Sequence, residues 1–224
     1  MFQLTVTEPI LAACPQLHIG LIACDVVNSP SSDLLWDEIN EAVVHFKSTV
    51  QLDRINKIPS IAATRSIYKA LGKDPNRYRP SAEALCRRIL RDMDLYRINT
   101  LVDLINLVSI KTGYSIGGFD AKKIQGNVVL GVGEAGEEFD AIGRGLLNIE
   151  GLPVYRDSVG GIGTPTSDNE RTKINNETNS LLMIINDYSG ADGLQGTIDF
   201  STELLTKYCN ASAIEVEIIK LFTL

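Results

Sequence analysis

The stretch INTLVDLINLVSIKTG, residues 98–113, is apolar almost all the way round a helical wheel. Asn99 is a suitable N-cap and Gly113 a suitable stop, so the segment reads as a helix that must be covered on nearly every side. One polar stripe interrupts it: Asn99, Asp103 and Asn106 lie four and three residues apart and share an edge. Such groups serve either to cap neighbouring loops by hydrogen bonds or to line a pocket at the edge of a dry helix. A buried helix of this kind needs elements packed around it, and the chain on either side supplies two different sorts.

Upstream, LHIGLIACDVV (17–27) reads as a buried strand ended by Asn28-Ser29-Pro30. A helix follows from Ser32-Asp33 to about Lys47, with Leu34, Trp36, Ile39, Val43 and Phe46 at helical spacing. IPSIAATRSIYKALG (58–72) is a shorter helix stopped by Gly72, and KDPNRYRP (73–80) is extended or turned between its prolines. Ser81 is the expected N-cap of a helix from Ala82 to about Asp92. At about 100° per residue, Ala82, Leu85 and Ile89 fall on one side of it while Arg87, Arg88 and Arg91 fall on the other, towards solvent.

Downstream of Gly117 the texture becomes β. NVVLGV (127–132), LPVYRD (152–157) and SLLMIIND (180–187) are short strands between glycine-rich or polar turns. The polar, glycine-rich segment 160–179 is the best binding loop. Ser201 is read as the cap of a helix STELLTKYCNA (201–211), and AIEVEII (213–219) closes the chain as a strand. The expectation is a single α+β domain over residues 1–224, helical in its first half and mainly sheet in its second.

At 224 residues and 44% apolar, the chain can bury one substantial core. Its first residues lack a basic region, and no run of about 18 uncharged apolar residues occurs, so a soluble cytoplasmic protein without membrane partners is expected. Cys14, Cys24, Cys86 and Cys209 are dispersed, with only His18 and His45 to complete a metal site. Reduced structural thiols, no metal and no cofactor follow. His18 reads as a core residue and His45 as a helix-surface or packing residue.

The net charge of −7 argues against a general nucleic-acid binder, DNA included. Its distribution is uneven: residues 60–100 hold nine basic groups against four acids. Tyr68, Tyr78 and Tyr96 interleave with those cations. That mixture suits single-stranded RNA ends, and it equally suits a solvated helix surface. Gly131-Val132-Gly133-Glu134-Ala135-Gly136 spells a dinucleotide motif, but its glutamates and the lack of a following helix favour a glycine-rich turn. No nucleophile motif appears, which leaves catalysis to an oriented water with backbone N–H groups as oxyanion donors.

With these residues placed, a family resemblance emerges. Ile98 to Asn106 resembles the "N-x-x-V-D-x-x-N" helix of B3/B4 domains, the editing domain of the bacterial phenylalanyl-tRNA synthetase β subunit. Gly117-Gly118-Phe119-Asp120 stands where those domains carry "H-A-F-D", followed by Ala121 to Gly126 as "D-x-x-K-x-x-G" and Ala135-Gly136-Glu137 as "x-G-E". The segment Arg65-Ser66-Ile67-Tyr68-Lys69 through Arg87-Arg88 is similar to free-standing members, and the likeness spans about residues 60–185. Two positions depart from the family: its histidine is Gly117 here, and no glutamate follows Thr178.

The resemblance implies three layers around an unusual β-sandwich flanked by helices, and a pocket that in the synthetase hydrolyses tyrosine wrongly attached to phenylalanine tRNA. Gly117, Gly118 and Phe119 would face that pocket, with Asp103 and Asn106 beside them. Arg77, Tyr78, Arg79, Arg87, Arg88 and Arg91 would meet the tRNA. The expected partner is the 3′ end of tRNA or an aminoacyl-tRNA, with ester hydrolysis in trans. The other reading left open is a non-catalytic module that binds a free amino acid or small metabolite.

Overall fold

The computed structural model describes residues 3–220. In chain order these form β1 (Leu4–Val6), α1 (Glu8–Ala13), β2 (His18–Asp25), α2 (Asp33–Thr49), α3 (Pro59–Ala70), α4 (Ser81–Ile89), α5 (Thr100–Thr112) and β3 (Ile116–Asp120). There follow β4 (Val128–Val132), β5 (Asp140–Ala141), β6 (Gly145–Leu146), β7 (Pro153–Arg156), β8 (Gly161–Gly163), β9 (Ser180–Asp187), α6 (Leu194–Cys209) and β10 (Ser212–Lys220). Helices therefore dominate before residue 113 and strands after it, as the change of texture predicts.

One four-stranded antiparallel sheet, in the order β10-β2-β9-β3, is the middle layer. Successive residues of a strand point to opposite faces, so a strand covered on both faces must be apolar throughout. β9 meets this condition: Leu181, Met183 and Ile185 pack with Leu35 and Ile39 of α2, Leu104 and Val108 of α5, and Ile198 of α6. Leu182 and Ile184 turn the other way, onto Leu130 of β4 and Val154 of β7. Those strands belong to a second sheet, β1-β4-β7-β8, in which β1 runs parallel to β4 and the other pairs are antiparallel. The result is helices on a sheet on a sheet, the α+β three-layer arrangement with a β-sandwich that the resemblance implies. Each fully buried Leu or Ile of these two cores contributes roughly 1.5–3 kcal/mol.

α5 is the buried helix of the opening stretch. Asn99 caps it by accepting from Val102 N at 3.0 Å, and Gly113 ends it at φ +74°. α2 starts on Ser32, whose hydroxyl accepts from Leu35 N. Three boundaries differ from expectation. Ser201 caps nothing: α6 begins at Leu194, and the fully buried Ser201 hydroxyl donates back to Thr197 O at 2.7 Å, the alternative that serine has inside a helix. Pro80, not Ser81, occupies the N-cap position of α4, since the first helical bond runs from Ala84 N to Pro80 O at 2.9 Å. That helix stops at Ile89, and Asp92 lies beyond it at φ +55°. His18 is half-buried at the start of β2 rather than sealed in the core.

The glycine-rich motif 131–136 runs out of β4 into a turn, with no helix after it. Gly133 serves packing: its N–H donates to Leu152 O, its carbonyl accepts from Gly151 N–H, and an added Cβ would lie 1.9 Å from Ile149 O. Backbone cannot yield as a side-chain tip can. Gly133→Ala should therefore destabilise the protein by on the order of 3 kcal/mol in denaturant unfolding. Gly196→Ala, at a helical position of α6 with open space around it, should be neutral or stabilising by about 0.5–1 kcal/mol. Equal effects from the two would contradict the packing role of Gly133.

Candidate functional site

Where β3 forms the edge of the middle sheet, the helical layer does not close over it completely. A cavity of about 420 Å³ remains. Ser81 and Leu85 of α4 and Val102, Ile105 and Asn106 of α5 form its helical side. Ile116 and Gly118 of β3 form the sheet side, and Thr164, Ser167, Asp168 and Lys173 enter from the segment after β8. Gly118 is what makes room, since a Cβ there would lie 2.6 Å from Ile105 Cδ1 and 3.0 Å from Ile174 Cδ1. The walls are mostly apolar, with a few convergent polar groups, the usual character of a small-ligand site.

Two of those polar groups keep unused hydrogen-bonding capacity. Asn106 is half-buried on the cavity side of α5, and among the described residues no hydrogen bond engages its amide. Asp168 has its carboxylate turned in against β3, where Oδ2 accepts from Gly118 N at 3.1 Å. That N–H is available because β3 is an edge strand whose outer side lacks a continuous ladder. Oδ1 sits near Gly117 and Gly163, 3.6 Å and 2.7 Å from where their Cβ atoms would be. Packing around the carboxylate pushes its pKa up to about 7 by desolvation, against the Gly118 N–H, which pulls it down. Thr164 holds the turn that presents Asp168, its hydroxyl accepting from Thr166 N and Ser167 N at 3.1 Å each. The segment 160–179, expected as a binding loop, supplies Thr164, Ser167, Asp168 and Lys173 to one wall of the cavity.

The expected pocket residues divide. Gly118 and Asn106 line the cavity. Gly117 and Phe119 do not: they are strand residues of β3, not a turn, and alternation sends them into the sandwich, where Phe119 is fully buried in the core. Asp103 does not reach the cavity either. It accepts from Ser31 Oγ, from Trp36 Nε1 at 3.0 Å and from Ile98 N at 3.1 Å, which makes it the tie between α5 and the start of α2.

The expected RNA-facing cations divide as well. Glu83, on α4, is fully buried, with Arg65 Nη1 and Arg87 Nε each at 2.8 Å and Arg79 Nε at 3.6 Å. Arg79 and Arg87 therefore serve an internal ion cluster, not a solvent face. Arg77 is exposed beside the Tyr78 ring, whose face Lys73 Nζ covers at 3.7 Å. Arg88 lies over the exposed ring of Tyr96 at 4.2 Å, on the same helical stripe as Ser81 and Leu85. Arg91 is exposed just past the end of α4. His45 lines a separate groove between α2 and α5, and neither histidine borders the cavity.

Sequence reasoning missed Asp168 and the burial of Glu83. The signal for the first was its place in segment 160–179, whose polar turn residues mark a turn without marking which carboxylate meets β3. The signal for the second was the i, i+4 spacing of Arg79, Glu83 and Arg87.

The model of the B3/4 domain family matches residues 63–209. No curated protein matches the chain. Among solved structures, an N-terminal fragment of the phenylalanyl-tRNA synthetase β subunit from Pyrococcus horikoshii is similar, at 13% identity and a TM-score of 0.49. The match covers 96% of this chain and spans half the length of that fragment, 50%.

The buried Glu83 and the half-buried Asp168 generate opposite expectations. Removing Glu83 leaves three guanidinium groups facing one another in a partly dry site, so Glu83→Ala should cost about 3–5 kcal/mol, while Arg91→Ala should change stability by less than about 0.5 kcal/mol. Asp168 instead strains the fold when ionised. Its folded pKa near 7 exceeds the ordinary 3.8, so the folded state holds a proton that the unfolded chain releases between those values. Its contribution is full below about pH 4 and is lost as pH rises towards 7. Asp168→Asn should therefore gain stability relative to the wild type as pH rises through that window in urea titrations. A difference independent of pH would remove this assignment.

Proposed function

The chain belongs to the B3/4 domain family, and from that membership together with the cavity we propose that the protein binds the aminoacylated 3′ end of tRNA and hydrolyses the ester in trans. The amino-acid side chain enters the cavity beside Gly118. The observation that carries this reading is the cavity itself: about 420 Å³, mostly apolar, with a few polar side chains among its walls. Its volume is within the roughly 300–1,000 Å³ of small-ligand sites. The family resemblance to editing domains supplies the substrate class, and Arg88 on Tyr96 supplies a cation and a stacking face on the helix that walls the cavity.

In this reading the nucleophile is water. Its oxygen attacks the ester carbonyl, the bond to the terminal ribose oxygen breaks, and the products are a free amino acid and a tRNA with a free hydroxyl. The uncommitted amide of Asn106 can both donate to and accept from that water. The serine and threonine hydroxyls of the cavity have no histidine beside them to act as base, which favours water over a side-chain nucleophile.

A second reading, a module that binds a free amino acid without reaction, is favoured by one observation: Arg65, Arg79 and Arg87 spend charge on Glu83, leaving fewer cations for phosphates. Incubation with a panel of mischarged tRNAs separates the two. The proposal expects salt-sensitive binding and release of at least one amino acid, both without the free amino acid shifting the melting temperature. Val102→Trp, which fills the cavity from the partly exposed wall of α5, should abolish release while leaving binding of uncharged tRNA. Neither release nor salt-sensitive binding by the wild type would overturn the proposal.

A further inference from the structure

The charge inside the cavity is unbalanced, and the imbalance has a sign. Two lining residues are ionisable, Asp168 and Lys173. The Lys173 ammonium is ion-paired with Glu170, whose other oxygen accepts from Gly143 N. Lys173 thus arrives already compensated. Asp168 does not: among the described residues its carboxylate receives one N–H, from Gly118 on Oδ2, and no donor on Oδ1. Glu83 marks the contrast, for that buried carboxylate of the same protein holds three guanidinium groups.

Resting on the aminoacyl-end reading above, we infer that Asp168 is the counter-ion for the α-ammonium of the bound aminoacyl group, so that the cavity selects ligands by that charge as well as by side-chain fit. The carboxylate is held for the purpose. Its backbone is tied by Ile142 N–H on the Asp168 carbonyl at 3.0 Å and by the Thr164 turn, and the missing side chains of Gly117 and Gly163 leave Oδ1 its place. A cation reaching the carboxylate from the cavity offsets the desolvation that pushes this group's pKa up to about 7. A neutral group there leaves the charge of the half-buried carboxylate unpaired, which disfavours the complex. Apolar walls sharpen the choice, because an ion pair is stronger where water is scarce.

The inference separates from the reading it rests on by comparing three ligands. Wild-type protein is titrated with tRNA whose 3′ end carries an amide-linked, non-hydrolysable aminoacyl group, with the same tRNA N-acetylated on the amino acid, and with uncharged tRNA. N-acetylation removes the ammonium and keeps the side chain. The expected result is that the free-amine ligand binds about ten- to a hundredfold tighter than the N-acetyl ligand, the range of a charge-assisted hydrogen bond. In Asp168→Asn this preference should fall to within about twofold. If the wild type binds the two acylated ligands equally and both above uncharged tRNA, the Asp168 assignment is overturned and the cavity reading stands. If it binds all three equally, the cavity reading falls and the assignment with it. If Asp168→Asn folds and keeps the full preference, the ammonium is recognised elsewhere and the assignment is again overturned. The N-acetyl comparison needs no variant, so a folding failure of Asp168→Asn leaves the test intact.

Discussion

The burial of β9 on both faces is the constraint from which the architecture follows. A strand with no polar face needs a layer on each side, and its odd and even residues must find different partners. The helices cover Leu181, Met183 and Ile185; the second sheet covers Leu182 and Ile184. β3 inherits the same alternation as its neighbour, which is why Gly118 opens towards α5 while Gly117 and Phe119 close the sandwich. The cavity is therefore a property of the sheet edge: the covering helices end their close approach there, and the strand lacks a second ladder to bind its outward N–H groups.

Two carboxylates, Glu83 and Asp168, define the electrostatics of the region, and their surroundings assign them different work. Glu83 is sealed and met by three guanidinium groups that join α3, α4 and the segment between them. This is a structural ion, and it consumes a good part of the positive balance of residues 60–100. Asp168 lines the cavity and keeps one N–H, with no donor on its second oxygen among the described residues. An acid held in so dry a place with so little compensation is destabilising to the empty fold when ionised, and groups of that kind cluster at functional sites.

Much of the fold was legible as pattern. The near-uniform apolarity of residues 100–112 announced a covered helix, the capping side chain of Asn99 and the left-handed Gly113 gave its ends, and the continuous run of β9 announced a strand with no solvent face. The helix α6 was read as starting seven residues too late because Ser201, a good cap by type, bonds to Thr197 inside the helix instead. Residue preference is local, and here a buried i−4 carbonyl competed successfully.

The sequence by itself determined the periodicities, and with them the α+β class, the order of the elements, the buried helix and the family to which residues 63–209 belong. It placed Asn99, Asp103 and Asn106 on one edge of α5, since that depends only on helical geometry. Tertiary structure alone decided what each of the three does: Asn99 caps its own helix, Asp103 ties α5 to Ser31 and Trp36, and Asn106 faces the cavity. It alone decided that Glu83 is enclosed by arginines from positions 65, 79 and 87, and that Asp168 meets the N–H of Gly118, fifty residues away. The physical reason is the same in each case. Periodicity is fixed by backbone geometry within a segment, whereas burial, ion pairing and the opening of a cavity depend on which distant segment arrives opposite.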